Sequence, residues 1–185
     1  MKKAVALVIS AILLTGCAAE TELSQALSFR TDLLAGQGCS FTAQVTADYG
    51  DELQEFTMEC RGDERGGISF TVISPETIAG ICGTLSEAGG ALTFDDTALQ
   101  FPLMAEDSLS PVSAPWIFLK TLRSGYIVSA CREEDLLHLS IDDSFDDDAL
   151  RLDIWMDGNR NPIRGEILHE GLRILTLRIG NFRIL

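Results

Sequence analysis

The sequence predicts an α+β fold, in which an antiparallel sheet of about nine to eleven strands has one apolar face covered by two helices. Much of the chain consists of short segments in which apolar and polar side chains alternate, which is typical of strands with one buried face. Turn residues, chiefly Gly, Asp and Asn, separate these segments. Apolar residues recur at helical spacing in two other segments, and these are the predicted helices.

The first predicted helix spans residues 20–35. Leu23, Leu27 and Leu34 recur at helical spacing, and Gly36 is a residue type that commonly ends a helix. The second predicted helix spans residues 113–123 and is apolar on most sides, so it must be covered on more than one face.

Ser113 is suited to the N-cap of the second helix, Pro115 to its first turn and Gly125 to its end.

The remaining segments predict strands. Residues 39–47 and 53–60 flank a turn and form a hairpin, residues 68–72 alternate, and residues 137–179 predict a meander of four strands.

The N-terminus carries a predicted secretory signal that ends in a lipid attachment site. Lys2 and Lys3 precede an apolar run over residues 4–14, which is too short to span a bilayer and is typical of a signal peptide. Leu14-Thr15-Gly16-Cys17 resembles the bacterial lipobox, in which a diacylglycerol is attached to the cysteine sulfur and the signal is cut before it. The sequence therefore predicts a signal peptide over residues 1–16 and one domain over residues 17–185, anchored by acyl chains such as palmitate. An ordinary cleaved signal with a chance cysteine is the alternative.

Four further cysteines follow Cys17, and export of the chain permits disulfides between them. A hairpin centred between Tyr49 and Gly50 places Cys39 opposite Cys60, where directly opposed Cβ atoms are near disulfide range. A second bridge between Cys82 and Cys131 follows only by elimination. The alternative is that the cysteines are reduced, buried thiols that act as small hydrophobes.

No motif in the sequence indicates catalysis or a cofactor. His138 alternates with Leu137 and Leu139 and is expected on the polar face, whereas His169 lies beside a turn, and neither has an evident acid partner or pocket. The acidic run over residues 142–148 offers the carboxylate oxygens that Ca²⁺ prefers, but it lacks the central Gly and closing Glu of an EF-hand loop.

Phosphate-binding loops, nucleophile elbows and zinc-protease motifs are absent from the sequence. The sequence therefore predicts a protein that is not an enzyme, with no metal and no cofactor, and the net charge of −14 argues against nucleic acid as a partner.

Two stretches of the chain resemble the LolA/LolB-like (lipoprotein localisation factor) superfamily. Residues 68–80, ISFTVISPETIAG, are similar to the strand-and-crossing segment of clostridial lipoproteins of this kind, and residues 172–182, LRILTLRIGNF, are similar to their closing strand. The resemblance covers most of residues 20–185 and is strongest to spore-germination lipoproteins. It implies that the sheet is a curved half-barrel, that the helices and the concave face enclose an apolar cavity, and that no catalytic residue is present.

Members of this superfamily carry acyl chains in the cavity or bind protein partners through the sheet. The side chains expected to line such a cavity belong to the second helix and to the facing strands: Trp116, Phe118, Leu119, Leu122, Phe41, Phe56, Phe70 and Phe94. The alternative is that these same side chains simply fill the core.

The sequence therefore predicts a non-catalytic lipoprotein on the extracytoplasmic face of the cell membrane. Its ligand is expected to be apolar, such as a lipid or a lipidated peptide. The alternative is an adaptor in envelope or spore assembly and germination that binds an envelope protein or a second copy of itself, and Phe182, Ile184 and Leu185 hint at an exposed edge for that purpose. Ala18 and Ala19 after the lipid carry no acidic retention signal, and this observation, with the clostridial resemblance, favours a bacterium with a single membrane.

Overall fold

The structure is a computed structural model of the chain, and it describes residues 21–48, 53–94, 97–101, 104–105 and 108–185. The predicted signal peptide and Cys17 lie outside these ranges. The helices are α1 (Glu22–Ala35) and α2 (Ala114–Ser124). The strands are β1 (Gly38–Asp48), β2 (Leu53–Asp63), β3 (Ile68–Ser74), β4 (Cys82–Ser86), β5 (Gly89–Phe94), β6 (Thr97–Phe101), β7 (Met104–Ala105), β8 (Ser108–Leu109), β9 (Tyr126–Glu133), β10 (Leu136–Asp142), β11 (Arg151–Met156), β12 (Pro162–His169) and β13 (Leu172–Ile184).

Eleven strands form one antiparallel sheet in the order β6-β5-β4-β3-β2-β1-β13-β12-β11-β10-β9, and β7 pairs with β8 in a separate short hairpin. The edges β6 and β9 do not pair with each other, so the sheet is open. The first and last strands, β1 and β13, are neighbours in its middle, where Ala43 pairs with Ile179. The predicted α+β fold, with its half-barrel sheet and two helices, is confirmed.

Both helices pack on one face of the sheet, which we call the apolar face. Side chains alternate along the central strands, so that Leu137, Leu139 and Ile141 of β10 are buried on this face while the residues between them lie on the opposite, outer face. Helix α1 contributes Phe29 and Leu33 to the core. Neither helix of the described residues is long and apolar enough to cross a membrane.

The described helices begin and end within two residues of the predicted bounds. The Thr21 hydroxyl accepts a hydrogen bond from the backbone N–H of Ser24 and caps α1, and Gly36 ends that helix. Gly125 ends α2 as predicted, whereas Ser113 occupies the N-cap position without a capping hydrogen bond because its hydroxyl donates to the Ser110 carbonyl oxygen at 2.6 Å.

The predicted register of the first hairpin is wrong by two residues. Asp48 pairs with Leu53, so the turn is centred one position later than expected, and Phe41 rather than Cys39 lies opposite Cys60. A shift of two residues preserves the side-chain alternation, and Phe41 and Phe56 are therefore buried as predicted.

This register also corrects the disulfide predictions. Cys39 lies opposite Gly62, and Cys39, Cys60, Cys82 and Cys131 are all free thiols. Cys82 lies in β4 and Cys131 in the edge strand β9, at opposite ends of the sheet, so the second bridge has no basis. Burial raises the pKa of the Cys39 thiol to about 11 and also raises the pKa of the Cys60 thiol, so both remain protonated and act as the small hydrophobes of the alternative hypothesis.

The C-terminal meander has five strands rather than four. The additional strand is β9, in which most side chains are exposed and no alternation of apolar and polar residues exists to identify it. Its exposed residues include Tyr126 and Val128. Because β9 has a neighbour on one side only among the described strands, its other side is an edge of the sheet beside the hairpin to β10.

Candidate functional site

Helix α2 brings together seven of the eight side chains predicted to line an apolar cavity. Trp116, Phe118, Leu119 and Leu122 are buried between the helix and the sheet, as are Phe41, Phe56 and Phe70 from the strands. The side chain of the eighth residue, Phe94, lies outside the described part of the structure. These residues form one contiguous apolar cluster.

Aromatic rings dominate the centre of this cluster. The Phe41 ring lies 5.7 Å from that of Phe118 and 5.8 Å from that of Phe182, measured between ring centroids, and Phe182 lies 5.9 Å from Phe29. These separations are typical of packed aromatic pairs. The rings therefore join α1, α2, β1 and β13 into one packed unit.

Two glycines in the sheet allow α2 to lie close to the strands. A Cβ atom at Gly165 of β12 would lie 3.3 Å from Cδ2 of Phe118, and a Cβ atom at Gly62 of β2 would overlap Cδ2 of Leu119. Substitution at either position would force the helix side chains away from the sheet.

Polar contacts at the C-terminal end of α2 fix its position. The Arg30 side chain of α1 donates from Nε to the Leu122 carbonyl oxygen at 2.8 Å, and Arg123 donates from Nη2 to the Glu64 carbonyl oxygen at 2.7 Å. Burial lowers the pKa of the Arg30 guanidinium. The first bond occupies a carbonyl group in the last turn of α2, and the second ties the same end of the helix to the turn between β2 and β3, so α2 is a fixed part of the core.

The outer face of the sheet carries a wide concavity of about 830 Å³ across β1 to β5 and the end of β13, which we call the outer trough. Hydroxyl side chains dominate its outward-facing positions, and three charged side chains lie among them. The outward-facing residues lining it are Ser40, Thr42, Glu59, Arg61, Ser69, Thr71, Cys82, Thr84, Ala91, Thr93, Asn181 and Arg183. Two arginines against one glutamate give this region a positive balance in a chain whose net charge is −14.

The sequence predicted neither the outer trough nor its lining. The hydroxyl residues lie in four strands, β1, β3, β4 and β5, and are separated along the chain, so only the pairing within the sheet brings them together. The signal in the sequence is the repeated placement of Ser or Thr at polar positions of successive strands, as at Ser69 and Thr71 in β3.

The two histidines occupy different environments. His138 lies on the outer face as predicted, where its ring stacks on that of Trp155 at 4.6 Å between centroids. Contrary to the expectation that it has no acid partner, Nδ1 of His138 lies 3.1 Å from Oε1 of Glu133. His169 is half-buried at the end of β12, opposite Leu172.

The acidic run over residues 142–148 is partly engaged in contacts within the protein. Asp142 forms a two-bond ion pair with Arg151, with N–O distances of 2.8 and 3.1 Å. Asp143 accepts a hydrogen bond from the backbone N–H of Leu150 at 2.9 Å and lies 3.9 Å from Nζ of Lys120. These two carboxylates therefore hold the loop between β10 and β11 in place.

The described chain can now be compared with known proteins. No family model and no curated protein matches the sequence. Solved structures of LolA superfamily proteins are similar to this chain. One is NE2245 from Nitrosomonas europaea, with 6% identity over 87% of this chain and 93% of that chain and a TM-score of 0.44.

Two lipoprotein structures are similar as well. LppX from Mycobacterium tuberculosis has 11% identity over 87% of this chain and 92% of that chain, with a TM-score of 0.41. A chain of the complex between the CwlD amidase and the GerS lipoprotein from Clostridioides difficile has 13% identity over 89% of this chain and 96% of that chain, with a TM-score of 0.43. The superfamily named from the sequence is thus among the similar structures.

Proposed function

We propose that this protein is a lipid-anchored, extracytoplasmic adaptor that has no catalytic activity and binds an envelope protein in the outer trough. The observation that carries the proposal is the trough itself, a concave polar surface with a positive charge balance on an acidic chain. The anchor would hold the protein at the membrane, and the trough would present arginine and hydroxyl groups to the partner.

The anchoring part of the proposal rests on Cys17 and on its distance from α1. Only residues 18–20 separate Cys17 from the N-cap residue Thr21, so even a fully extended chain would place the Cα atom of Thr21 within about 14 Å of the Cα atom of Cys17. Two or three acyl chains give stable membrane attachment because each buried methylene contributes about 0.8 kcal/mol.

The exposed side of α1 fits a position at the membrane surface. Leu23 and Leu27 are each 48% exposed and Leu34 is 50% exposed, although the same helix buries Phe29 and Leu33 in the core. Leucines on the outside of a helix that begins next to a lipid anchor can enter the boundary between headgroups and acyl chains.

The partner-binding part rests on the chemistry of the trough. Arg61 and Arg183 can each donate several hydrogen bonds to carboxylates, and Ser and Thr hydroxyls both donate and accept. Arginine is enriched in protein interfaces. The trough therefore suits a protein surface that carries carboxylates among other polar groups, and a positive patch would also speed the approach of such a partner.

Lipid attachment can be tested by the Cys17→Ser substitution. Cells are fed an alkyne-tagged fatty acid, and the label and the membrane fraction are measured for wild type and variant, with Cys82→Ser as the control because Cys82 is an exposed thiol in the folded domain. We expect Cys17→Ser to lose both label and membrane attachment and the control to keep both. A Cys17→Ser protein that stays labelled and membrane-bound would refute the anchor.

Partner binding can be tested by placing a photo-crosslinking amino acid at Thr84, which is exposed in the trough, and at Asp147, which is exposed in the loop between β10 and β11. We expect light-dependent adducts of one discrete mass from Thr84 but not from Asp147. Arg61→Glu with Arg183→Glu should abolish them. Arg65→Glu, which changes charge in an exposed turn outside the trough, should not. The absence of adducts from Thr84, or their survival after the double charge reversal, would refute the trough as the binding surface.

An apolar ligand is the second candidate function. The buried aromatic cluster beneath α2 favours it, because the same side chains that pack against one another could open around an acyl chain. Native mass spectrometry of the purified protein distinguishes the candidates. A bound mass that organic extraction removes would support the apolar ligand. A dimer with no bound mass would support self-association, and a monomer with no bound mass would favour the adaptor that binds another protein.

A further inference from the structure

A compact group of polar side chains lies on the outer face beside the free edge of the sheet, at the other end from the outer trough. Cys131 and Glu133 of β9 and His138 of β10 each offer one ligand atom, and these three atoms all lie within 4.8 Å of one another. The group has no part in the proposed lipid anchor or in the trough.

The hairpin between β9 and β10 creates this arrangement. Glu133 pairs with Leu136 across a two-residue turn, in which Glu134 adopts a positive φ of 54°. That register places Cys131 directly opposite His138. Glu133, two residues after Cys131, lies on the same face of the strand.

Two of the three separations between the ligand atoms match those around a zinc ion. Sγ of Cys131 lies 3.6 Å from Nδ1 of His138, and Nδ1 lies 3.1 Å from Oε1 of Glu133. Tetrahedral Zn²⁺, with bonds of about 2.3 Å to sulfur and about 2.0–2.1 Å to nitrogen and oxygen, separates S from N by about 3.5 Å and N from O by about 3.3 Å. The third pair, the Cys131 sulfur and the Glu133 carboxylate oxygen, lies within 4.8 Å, against about 3.5 Å around one zinc ion, so rotation of the side chains would bring the three atoms onto one ion.

Groups around the three ligands hold them in orientation. The indole N–H of Trp155 donates to Oε2 of Glu133 at 2.7 Å, which leaves Oε1 directed at His138. Stacking against Trp155 fixes the plane of the His138 ring, and the Arg164 guanidinium covers the Trp155 ring at 4.4 Å. Such surrounding contacts are characteristic of metal sites, where they fix the direction of each ligand atom.

The far side of the His138 ring provides an independent observation. Nε2 of His138 and Oδ1 of Asp153 are 3.7 Å apart, and both atoms are buried without a hydrogen bond among the described residues. A metal on Nδ1 would place the ring proton on Nε2, where it faces the Asp153 carboxylate. A carboxylate in this position is one of the usual supports of a zinc-bound histidine.

We propose that Cys131, Glu133 and His138 form a Zn²⁺ site with three protein ligands and one open position. A thiolate and an imidazole favour Zn²⁺ over the hard cations Ca²⁺ and Mg²⁺, which take oxygen ligands. The sequence predicted no metal because the spacing Cys-x-Glu-x₄-His matches no familiar ligand motif, and only the hairpin register makes its members neighbours. Because most side chains of β9 are exposed, water or a group of another molecule can complete the coordination.

The test uses the full chain, purified in detergent, stripped with a chelator and titrated with Co²⁺ under reducing conditions. Co²⁺ reports a bound thiolate through a sulfur-to-metal absorption band that Zn²⁺ does not have. We expect the band to saturate at one equivalent and to disappear when Zn²⁺ displaces Co²⁺. A chain that gives no such band with Co²⁺ and no competition for Zn²⁺ against a chromophoric chelator would overturn the proposal.

Matched substitutions locate the site. Cys131→Ser should abolish the band and His138→Gln should abolish or greatly weaken it, whereas Cys82→Ser and His169→Gln, which remove the same residue types elsewhere in the sheet, should leave it unchanged. Asp153→Asn should lower the Zn²⁺ affinity by about 10- to 100-fold without removing the band, because it loses only the orientation of the histidine. Circular dichroism checks that each variant is folded. A band that persists in folded Cys131→Ser, or that is lost in folded Cys82→Ser, would overturn the assignment.

Discussion

Truncation of Phe118 distinguishes a filled core from a cavity that holds a ligand. Phe118 is fully buried, its ring lies 5.7 Å from that of Phe41, and the backbone of Gly165 lies beneath it. If these neighbours form a packed core, Phe118→Ala leaves a void that the rigid sheet cannot collapse to fill, and the free energy of unfolding should fall by about 4 kcal/mol, within the range of 3–5 kcal/mol for such changes. For a domain of this size, that loss lowers the melting temperature by roughly 8–16 °C.

Urea unfolding followed by tryptophan fluorescence measures this loss, with Phe145→Ala as the matched control. Phe145 is 81% exposed and contacts Tyr126, so its truncation should cost about 1 kcal/mol or less. A loss below about 1.5 kcal/mol for Phe118→Ala would refute the packed core, since a ring that borders open space has few contacts to lose. That result would favour the apolar ligand over the adaptor.

Three further predictions follow from the core. Gly165→Val should lower the free energy of unfolding by about 1–3 kcal/mol, because the added side chain overlaps the Phe118 ring, whereas Gly158→Ala, where a Cβ atom meets open space, should have little effect in the same urea assay. A thiol reagent at pH 8 should modify the exposed cysteines of β4 and β9 and leave Cys39 and Cys60 unmodified until denaturant is added, because burial raises the pKa of both thiols. The free energy of unfolding should also fall as the pH rises from about 9 to about 11, because the folded chain retains the Cys39 proton where the unfolded chain releases it; a Cys39→Ala variant should lack this part of the pH dependence.

The sequence predicted the fold wherever one side of an element is apolar. In β10 and β11 every second side chain is apolar and buried, and in α2 the apolar side chains recur at helical spacing. Both spacings can be read directly from the sequence, so these elements were predicted. The edge strand β9 was missed for the converse reason. Its outward and inward positions are nearly all exposed, so no hydrophobic pattern marks it as a strand.

Features that depend on strand register could not be predicted to the same degree. The first hairpin was predicted on the correct faces but two residues out of register, because alternation repeats every two residues and cannot distinguish Cys39 from Phe41 as the partner of Cys60. The opposition of Cys131 and His138 requires β9 to be recognised first. The outer trough requires the order of six strands, because Asn181 and Arg183 of β13 join residues of β1 to β5 that lie far from them along the chain.

The pairing of β1 with β13 has a consequence for how the chain can acquire its structure. One edge of β1 is satisfied only by the last strand, with Ala43 against Ile179 and Gln37 bonded to the carbonyl oxygen of Leu185. Such pairing between the two ends of a chain forms slowly, because the closing loop is almost the whole molecule. During folding, β1 therefore cannot complete its second ladder until β13 reaches it, so the middle of the sheet is joined late although its two arms consist of sequential hairpins.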